Sequence, residues 1–166
     1  KSISKEKVFY ASVNSKNPLR IFFNAIKIMQ LIKKLNITIV HARSRAPAWS
    51  SYFACALTGT KFIATFHGTY NFNNPLKKYY NSIMLKTNGT IAISEFINDH
   101  IKNCYPKKNY KIKTISRGID LDFFNVNNCD LKEQDLIIKE YNIDTDAIKI
   151  LLAGRITGWK GHKLLL

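Results

Sequence analysis

The sequence predicts an α/β fold with a parallel sheet, and three observations carry that prediction. Short apolar runs rich in β-branched and aromatic residues alternate with stretches of helical periodicity along the chain. Two helix starts are marked by Asn-Pro pairs, Asn17-Pro18 and Asn74-Pro75, where an asparagine cap precedes a proline whose fixed φ suits a first helical turn. An apolar run then empties into a loop with three glycines, LLAGRITGWKGH, residues 151–162, the strand-to-helix turn expected of such a sheet.

Taken in order, residues 8–13 read as a weak first strand. Ile21, Ala25, Ile28, Ile32 and Leu35 recur at helical spacing after Pro18 and form one apolar face. Residues 37–42, ITIVHA, are a compact strand. Pro47 opens a helix through Leu57 that Gly59 closes, and residues 61–66, KFIATF, form the next strand. From Asn74-Pro75 a helix reaches about Lys86, and residues 90–93 are a short strand. Ser94 caps a helix to about Cys104; residues 111–115 are a strand, followed by the turn-like RGIDLD, residues 117–122. Residues 130–141 are a charged amphipathic helix, and residues 147–153 are the strand that feeds the glycine loop.

The organisation that follows is a first α/β domain over residues 1–125, a connection with a helix over 126–146, and the first βα unit of a second domain over 147–166. Twenty residues cannot bury a core of their own. The chain begins at Lys1 and ends inside an apolar run, KLLL, which predicts a piece of something longer.

Composition narrows the function classes. With 46% hydrophobic and 22% charged residues the chain is globular, and 166 residues suffice for a real core. The formal charge of +15, from 26 Lys+Arg against 11 Asp+Glu, favours anionic partners: nucleic acid, acidic membrane or phosphorylated substrate. The lysines are spread rather than clustered, which disfavours a nucleic-acid footprint, and A/T-rich codon usage would enrich lysine, asparagine and isoleucine without selection for binding. Cys55, Cys104 and Cys129 are odd in number and form no C-x-x-C pair, which suits a reducing compartment. No signal segment and no run of about 18 apolar residues is present in this stretch. The sequons at Asn36 and Asn88 are read as chance.

Two strand ends carry polar clusters: His41-Ala42-Arg43-Ser44-Arg45, and His67-Gly68-Thr69-Tyr70. Ligands collect at the carboxyl ends of parallel strands, so these clusters form a basic, hydroxyl-rich rim suited to a sugar or a phosphorylated acceptor. His41 reads as a hydrogen-bonded structural residue. His67 reads as functional, because Gly68 permits close approach and hydroxyls follow at Thr69 and Tyr70. Arg43 and Arg45 are open between a site and a solvated loop. No Ser-His-Asp or Cys-His arrangement and no H-x-x-x-H or H-E-x-x-H metal pair is readable.

The glycine loop is an anion cradle in design. Glycines let backbone N–H groups approach a phosphate, a helix start adds partial positive charge, and Arg155 and Lys160 add full charges. Lysine in a first helical turn opposes the helix dipole, which points Lys160 toward an anion. The loop is not a P-loop, since Trp159 stands where the second glycine belongs, and Ile156 breaks a G-x-G-x-x-G fingerprint.

In order and spacing, HARSRAPAWSSYFA, TFHGTYN, SRGIDLDFF and LLAGRITGWKGH resemble the bacterial family 4 glycosyltransferases, of two-domain GT-B fold. The likeness runs from about Asn17 to the last residue. HARSRAP with TFHGTYN is similar to the subset that builds cell-surface polysaccharide or lipopolysaccharide. The resemblance implies a Rossmann-like acceptor-side domain over residues 1–125, lacking its first strand, and the start of a nucleotide-sugar domain at 147–166. It implies retaining transfer from a nucleotide-diphosphate sugar to a cell-envelope glycan or lipid-linked acceptor, without cofactor or metal. Gly154, Arg155, Lys160 and Gly161 would hold the donor diphosphate, and His67 would lie in the cleft near the transferred sugar. Arg43, Ser44, Arg45, Gly68, Thr69 and Tyr70 would line the acceptor cleft, and Arg117-Gly118 would belong to the interdomain turn. The family's first strand and glycine-rich loop are expected before Lys1, and its paired glutamates after Leu166. Glu133 and Glu140 match their spacing by chance. These residues alone are therefore expected not to turn over, as a trimmed portion of an enzyme or the relic of a broken reading frame. The expected setting is cytoplasmic, with peripheral contact to acidic membrane. The alternatives are a basic module binding acidic membrane or RNA, supported by Lys77-Lys78 beside Tyr79-Tyr80, and an epimerase or reductase, which would need the absent dinucleotide fingerprint.

Overall fold

The helix that begins at Pro18 starts as its sequence requires. The Asn17 side chain accepts from the Leu19 amide at 2.9 Å, and α1 runs Pro18–Leu35. Asn36 ends it in the left-handed region (φ 50°), and the Ile37 amide bonds back to the Ile32 carbonyl at 3.0 Å. That bond assigns residue 37 to the cap, so strand β1 spans Ile39–Ala42 and starts two residues later than expected.

This is a computed structural model, which describes residues 9–11, 13, 15–70, 72–106, 109–128 and 130–166. The chain divides into two compact units, Lys1–Gly118 and Ile119–Leu166.

In the first unit α2 spans Arg45–Thr58, opening two residues before the expected Pro47. Ser44 is the N-cap, and Pro47 falls in the first turn, where a missing N–H costs no helical bond. Gly59 closes α2 at φ +69°. Strand β2, Lys61–Phe66, is followed by α3, Pro75–Asn81, whose Asn74 cap accepts from the Leu76 amide at 2.8 Å. Instead of continuing to Lys86, α3 tightens into a 3-10 turn over Ser82–Leu85 that buries Ile83, Met84 and Leu85 in succession. Strand β3 is Gly89–Ala92, α4 is Glu95–Cys104 with Ser94 as its cap, and β4 is Ile112–Thr114. The four strands are parallel and lie in the order β1-β2-β3-β4, so the α/β parallel sheet with flanking helices is observed.

The core sits between this sheet and its helices. Phe62, Ala64 and Phe66 from β2 and Ala92 from β3 meet Ala48, Ala54 and Cys55 of α2, the 3-10 turn, and Ile97 and Ile101 of α4. Alanines on α2 let it approach the sheet closely, while Phe66, Ile83, Met84 and Ile101 supply the volume, each fully buried. Both sequon asparagines have structural tasks: Asn36 caps α1, and Asn88 accepts the Phe62 amide on its side chain at 2.8 Å while donating its own amide to the Phe62 carbonyl.

Of the strand expected at residues 8–13, Val8 and Ser12 lie outside the described residues. Residues 9–11 and 13 are irregular: the Val13 amide bonds locally to the Ala11 carbonyl, and no described segment pairs with them. In the second unit α5, Leu131–Glu140, has Asp130 as its cap, with the carboxylate accepting the Lys132 amide at 2.9 Å. The strand expected at residues 147–153 does not form. A strand has no hydrogen bonds of its own, no described segment pairs with this one, and Ile148, Ile150 and Leu151 stand 92%, 74% and 88% exposed. The glycine loop closes with a 3-10 turn over Gly158–Lys160 and a single helical turn, α6, over His162–Leu165.

Candidate functional site

Successive side chains of a strand point to opposite faces, so His41 and Arg43 share one side of the chain leaving β1, as Thr65 and His67 do leaving β2. The register sets His41 beside Ile63. From that placement His41 Nε2 reaches the Thr65 hydroxyl at 2.7 Å, the structural hydrogen bond expected of it. One step further along, the Arg43 Nε–H donates to His67 Nε2 at 3.2 Å. From beyond β4, an Arg117 guanidinium nitrogen stands 2.7 Å from His67 Nδ1. Three strand ends thus converge on one imidazole.

Electrostatics follow from this packing. Burial, then the charges of Arg43 and Arg117 and the neighbouring His41, hold the His67 pKa below the usual imidazole value. Burial and then Arg43 do the same to His41. Both rings are therefore neutral at pH 7. Among the described residues neither Arg43 nor Arg117 has a carboxylate partner, the one ion pair being Lys102 with Asp99 on α4.

Arg45 is placed differently. Its guanidinium donates to Oδ1 of the buried Asn81 at 2.8 Å and lies 4.3 Å from the centre of the Tyr70 ring. It braces the loop after β2 against the end of α3. Tyr70 itself packs on Phe66, and burial raises its phenol pKa against the opposing pull of Arg45. Ser44 serves as a backbone cap, and its hydroxyl makes no capping bond. Thr69 is exposed, and a Cβ built on Gly68 would meet no atom within 4 Å beyond its chain neighbours, so the backbone next to His67 borders open space.

The sequence reading assigned Arg117 and Gly118 to an interdomain turn. Gly118 is the last residue of the first unit, and Arg117 belongs by its side chain to the His67 cluster. The rule that identified Arg43 and His67, polar residues just beyond a strand end, applies equally to Arg117, three residues past β4. Thr65 and Asn81 were also missed; Thr65 carried a signal, being the alternate residue before His67, whereas Asn81 carried none.

In the second unit the loop brings Gly154 and Lys160 together: a Cβ on Gly154 would lie 3.8 Å from Lys160 Cδ. The Lys160 amide bonds to the Thr157 carbonyl at 3.1 Å, and Gly161 takes φ +80°, a conformation that a side chain would strain. Arg155 is exposed on the same loop. Among the described residues no group of His, Cys, Asp or Glu could hold a metal ion, and no helix is long and apolar enough to cross a membrane.

The pattern described as Glycosyltransferase Family 4 matches residues 5–123. A solved glycosyltransferase from Rickettsia africae ESF-5 shares 44% sequence identity, with a TM-score of 0.78 over 95% of this chain. The match covers 41% of that structure, so the chain spans about two-fifths of its length. No curated protein gives a significant match.

Proposed function

The chain belongs to glycosyltransferase family 4, and from that premise we propose that it serves retaining sugar transfer from a nucleotide-diphosphate donor to a cell-envelope glycan or lipid-linked acceptor. The observation that carries the reading is the convergence of Arg43, His67 and Arg117 at the carboxyl edge of the parallel sheet, where this fold class gathers its ligands.

The roles divide by unit. Residues 1–125 are assigned to the acceptor side, 126–146 to the connection, and 147–166 to the start of the donor domain. His67, neutral and flanked by open space at Gly68, lies near the transferred sugar, and Ser44, Thr69 and Tyr70 line the acceptor side. Gly154, Arg155, Lys160 and Gly161 receive the diphosphate. In the transfer, the bond from the anomeric carbon to the diphosphate oxygen breaks with its electron pair going to that oxygen. The acceptor hydroxyl oxygen bonds the same carbon, and its proton passes to the departing diphosphate oxygen. Arg155 and Lys160 offset the charge that grows on the leaving diphosphate, a preorganised electrostatic role that needs no divalent ion. The +15 charge suits a working place on the cytoplasmic side of an acidic membrane.

The test is calorimetric titration of the chain with UDP, GDP, ADP and CDP. One of the four is expected to bind, and Lys160→Ala to weaken it roughly tenfold or more, the loss of a charge-assisted contact. Failure of all four, or an unchanged Kd in the variant, refutes the assignment of the donor loop.

A further inference from the structure

The contacts of His67 do not balance. Arg43 presents an N–H to Nε2 and Arg117 presents an N–H donor to Nδ1, and arginine is a donor only. A neutral imidazole has a single acceptor nitrogen, its other nitrogen carrying hydrogen, and an imidazolium has none. In every protonation state of His67, at least one of the two arginines therefore faces a ring nitrogen that cannot accept from it. Elsewhere in the same unit Arg45 pairs with Asn81, His41 with Thr65 and Asn88 with Phe62, while the buried hydroxyls of Ser50 and Tyr80 have no hydrogen-bond partner. At His67 the surplus is one of charged donors around a single ring.

That spot also lacks a counter-charge. Among the described residues no carboxylate pairs with Arg43 or Arg117. Open space adjoins at Gly68, where an added Cβ would touch nothing within 4 Å, and the Ser44 hydroxyl beside Arg43 is not spent on capping α2. Two guanidinium groups beside one ring, each with N–H donors that the ring cannot all receive, suit an anion that accepts from both, and a phosphate monoester has the charge and the oxygens to do so.

We propose that Arg43 and Arg117 bind a phosphate group between them beside His67. Its assignment as part of the acceptor substrate rests on the transferase reading above. The acceptor would then be a phosphorylated sugar or a lipid bearing a phosphate headgroup, bound on the first unit by cations separate from those of the donor loop, Arg155 and Lys160. A bound phosphate also reverses the electrostatics at His67: the anion favours imidazolium, whose two N–H groups can then donate while the arginines turn to the phosphate.

Histidine resonances of the chain, titrated with methyl phosphate and with chloride at equal ionic strength, test this directly. Methyl phosphate is expected to raise the His67 pKa by about one unit, the effect of an opposite charge within a few ångströms. Arg43→Gln and Arg117→Gln should each weaken methyl phosphate roughly tenfold, and together remove both binding and the shift. Both side chains are exposed, so the fold should persist; Arg117→Lys, which keeps charge but loses the fork, should fall between wild type and Arg117→Gln. Glucose 6-phosphate and phosphatidate-bearing phosphatidylcholine vesicles separate the sources: arginine-dependent binding of either supports the site and names the acceptor class. Equal methyl phosphate binding by wild type and the double glutamine variant, or no shift at His67, overturns the proposal. So does a loss of nucleoside diphosphate binding in that double variant as large as its loss of methyl phosphate, because the arginines would then hold the donor. If no nucleoside diphosphate binds while methyl phosphate remains arginine-dependent, the donor reading fails, the phosphate site stands, and its assignment to an acceptor is withdrawn.

Discussion

Helices α1 and α5 are built by the same local rules. Each has an Asn or Asp cap accepting the amide two residues on at 2.9 Å, and each is followed by an asparagine in the left-handed region, Asn36 at φ 50° and Asn142 at φ 48°. Their fates differ. α1 buries Asn24, Ala25 and Ile32, whereas none of the described residues of α5, or of the second unit as a whole, is buried. Local punctuation starts and stops a helix wherever it occurs, but a strand and a core exist only where distant segments supply partners. The first unit closes four parallel strands on one another, and in the second the apolar run at residues 147–153 has no described strand beside it.

The largest expected effect would break this contrast if it failed. Phe66→Ala removes a fully buried ring from the middle of the first unit's core and should cost about 3–5 kcal/mol, a large part of a domain's stability. Leu151→Ala, at a residue 88% exposed, should change stability by less than about 0.5 kcal/mol. Urea unfolding followed by circular dichroism compares the two. Similar losses would mean that the second unit buries its apolar run in solution.

Next in size is the bracing within the first unit. Arg45→Ala removes a charged hydrogen bond to Asn81 and the stack on Tyr70, at a cost of about 2 kcal/mol. Arg45→Lys should recover only part, because the planar fork is lost. A neutral result in unfolding experiments would return Arg45 to the solvated loop left open by its sequence. Asn88→Ala takes the acceptor from the Phe62 amide at the start of β2 and should cost about 1–2 kcal/mol, seen equally as faster exchange of that amide. An unchanged exchange rate would show that water replaces the side chain.

The same contrast explains what was legible. Caps at Asn17, Asn74 and Ser94 and the closing Gly59 are written in one or two residues, and each appears where the sequence placed it; Asp130, read as the first residue of its helix, is instead that helix's cap. Strands 61–66 and 37–42 were legible because their runs are short, β-branched and bounded by turns; the second lost residues 37 and 38, the Ile37 amide being spent on capping α1. The extension of α3 to Lys86 failed because helical periodicity does not distinguish an α turn from the tighter 3-10 turn that buries Ile83, Met84 and Leu85. At the site, His67 and Arg43 were legible as strand-end residues. The role of Arg117 was not, because it depends on a side chain reaching from beyond β4 to the end of β2, and that distance is set by strand order. His41 was legible as structural, though its partner Thr65 emerges only from the register.

The smallest effect is a dependence of the first unit on pH. His67 faces Arg43, Arg117 and His41, and His41 faces Arg43 and the uncharged Thr65, so every ionised neighbour opposes protonation of either ring. Folded pKa values held below 6.5 mean that the unfolded chain binds protons first as pH falls. The stabilisation from keeping both rings neutral is complete above about pH 6.5, declines below it, and is gone once the folded values are passed. Unfolding midpoints should therefore drop between neutral pH and about pH 5, beyond the loss caused by carboxylates at lower pH. His67→Gln should flatten part of that slope, and His41→Gln another part. A slope in the first unit that survives both substitutions would trace the pH dependence to other groups, and the two arginines would then be too well screened to govern the imidazole between them.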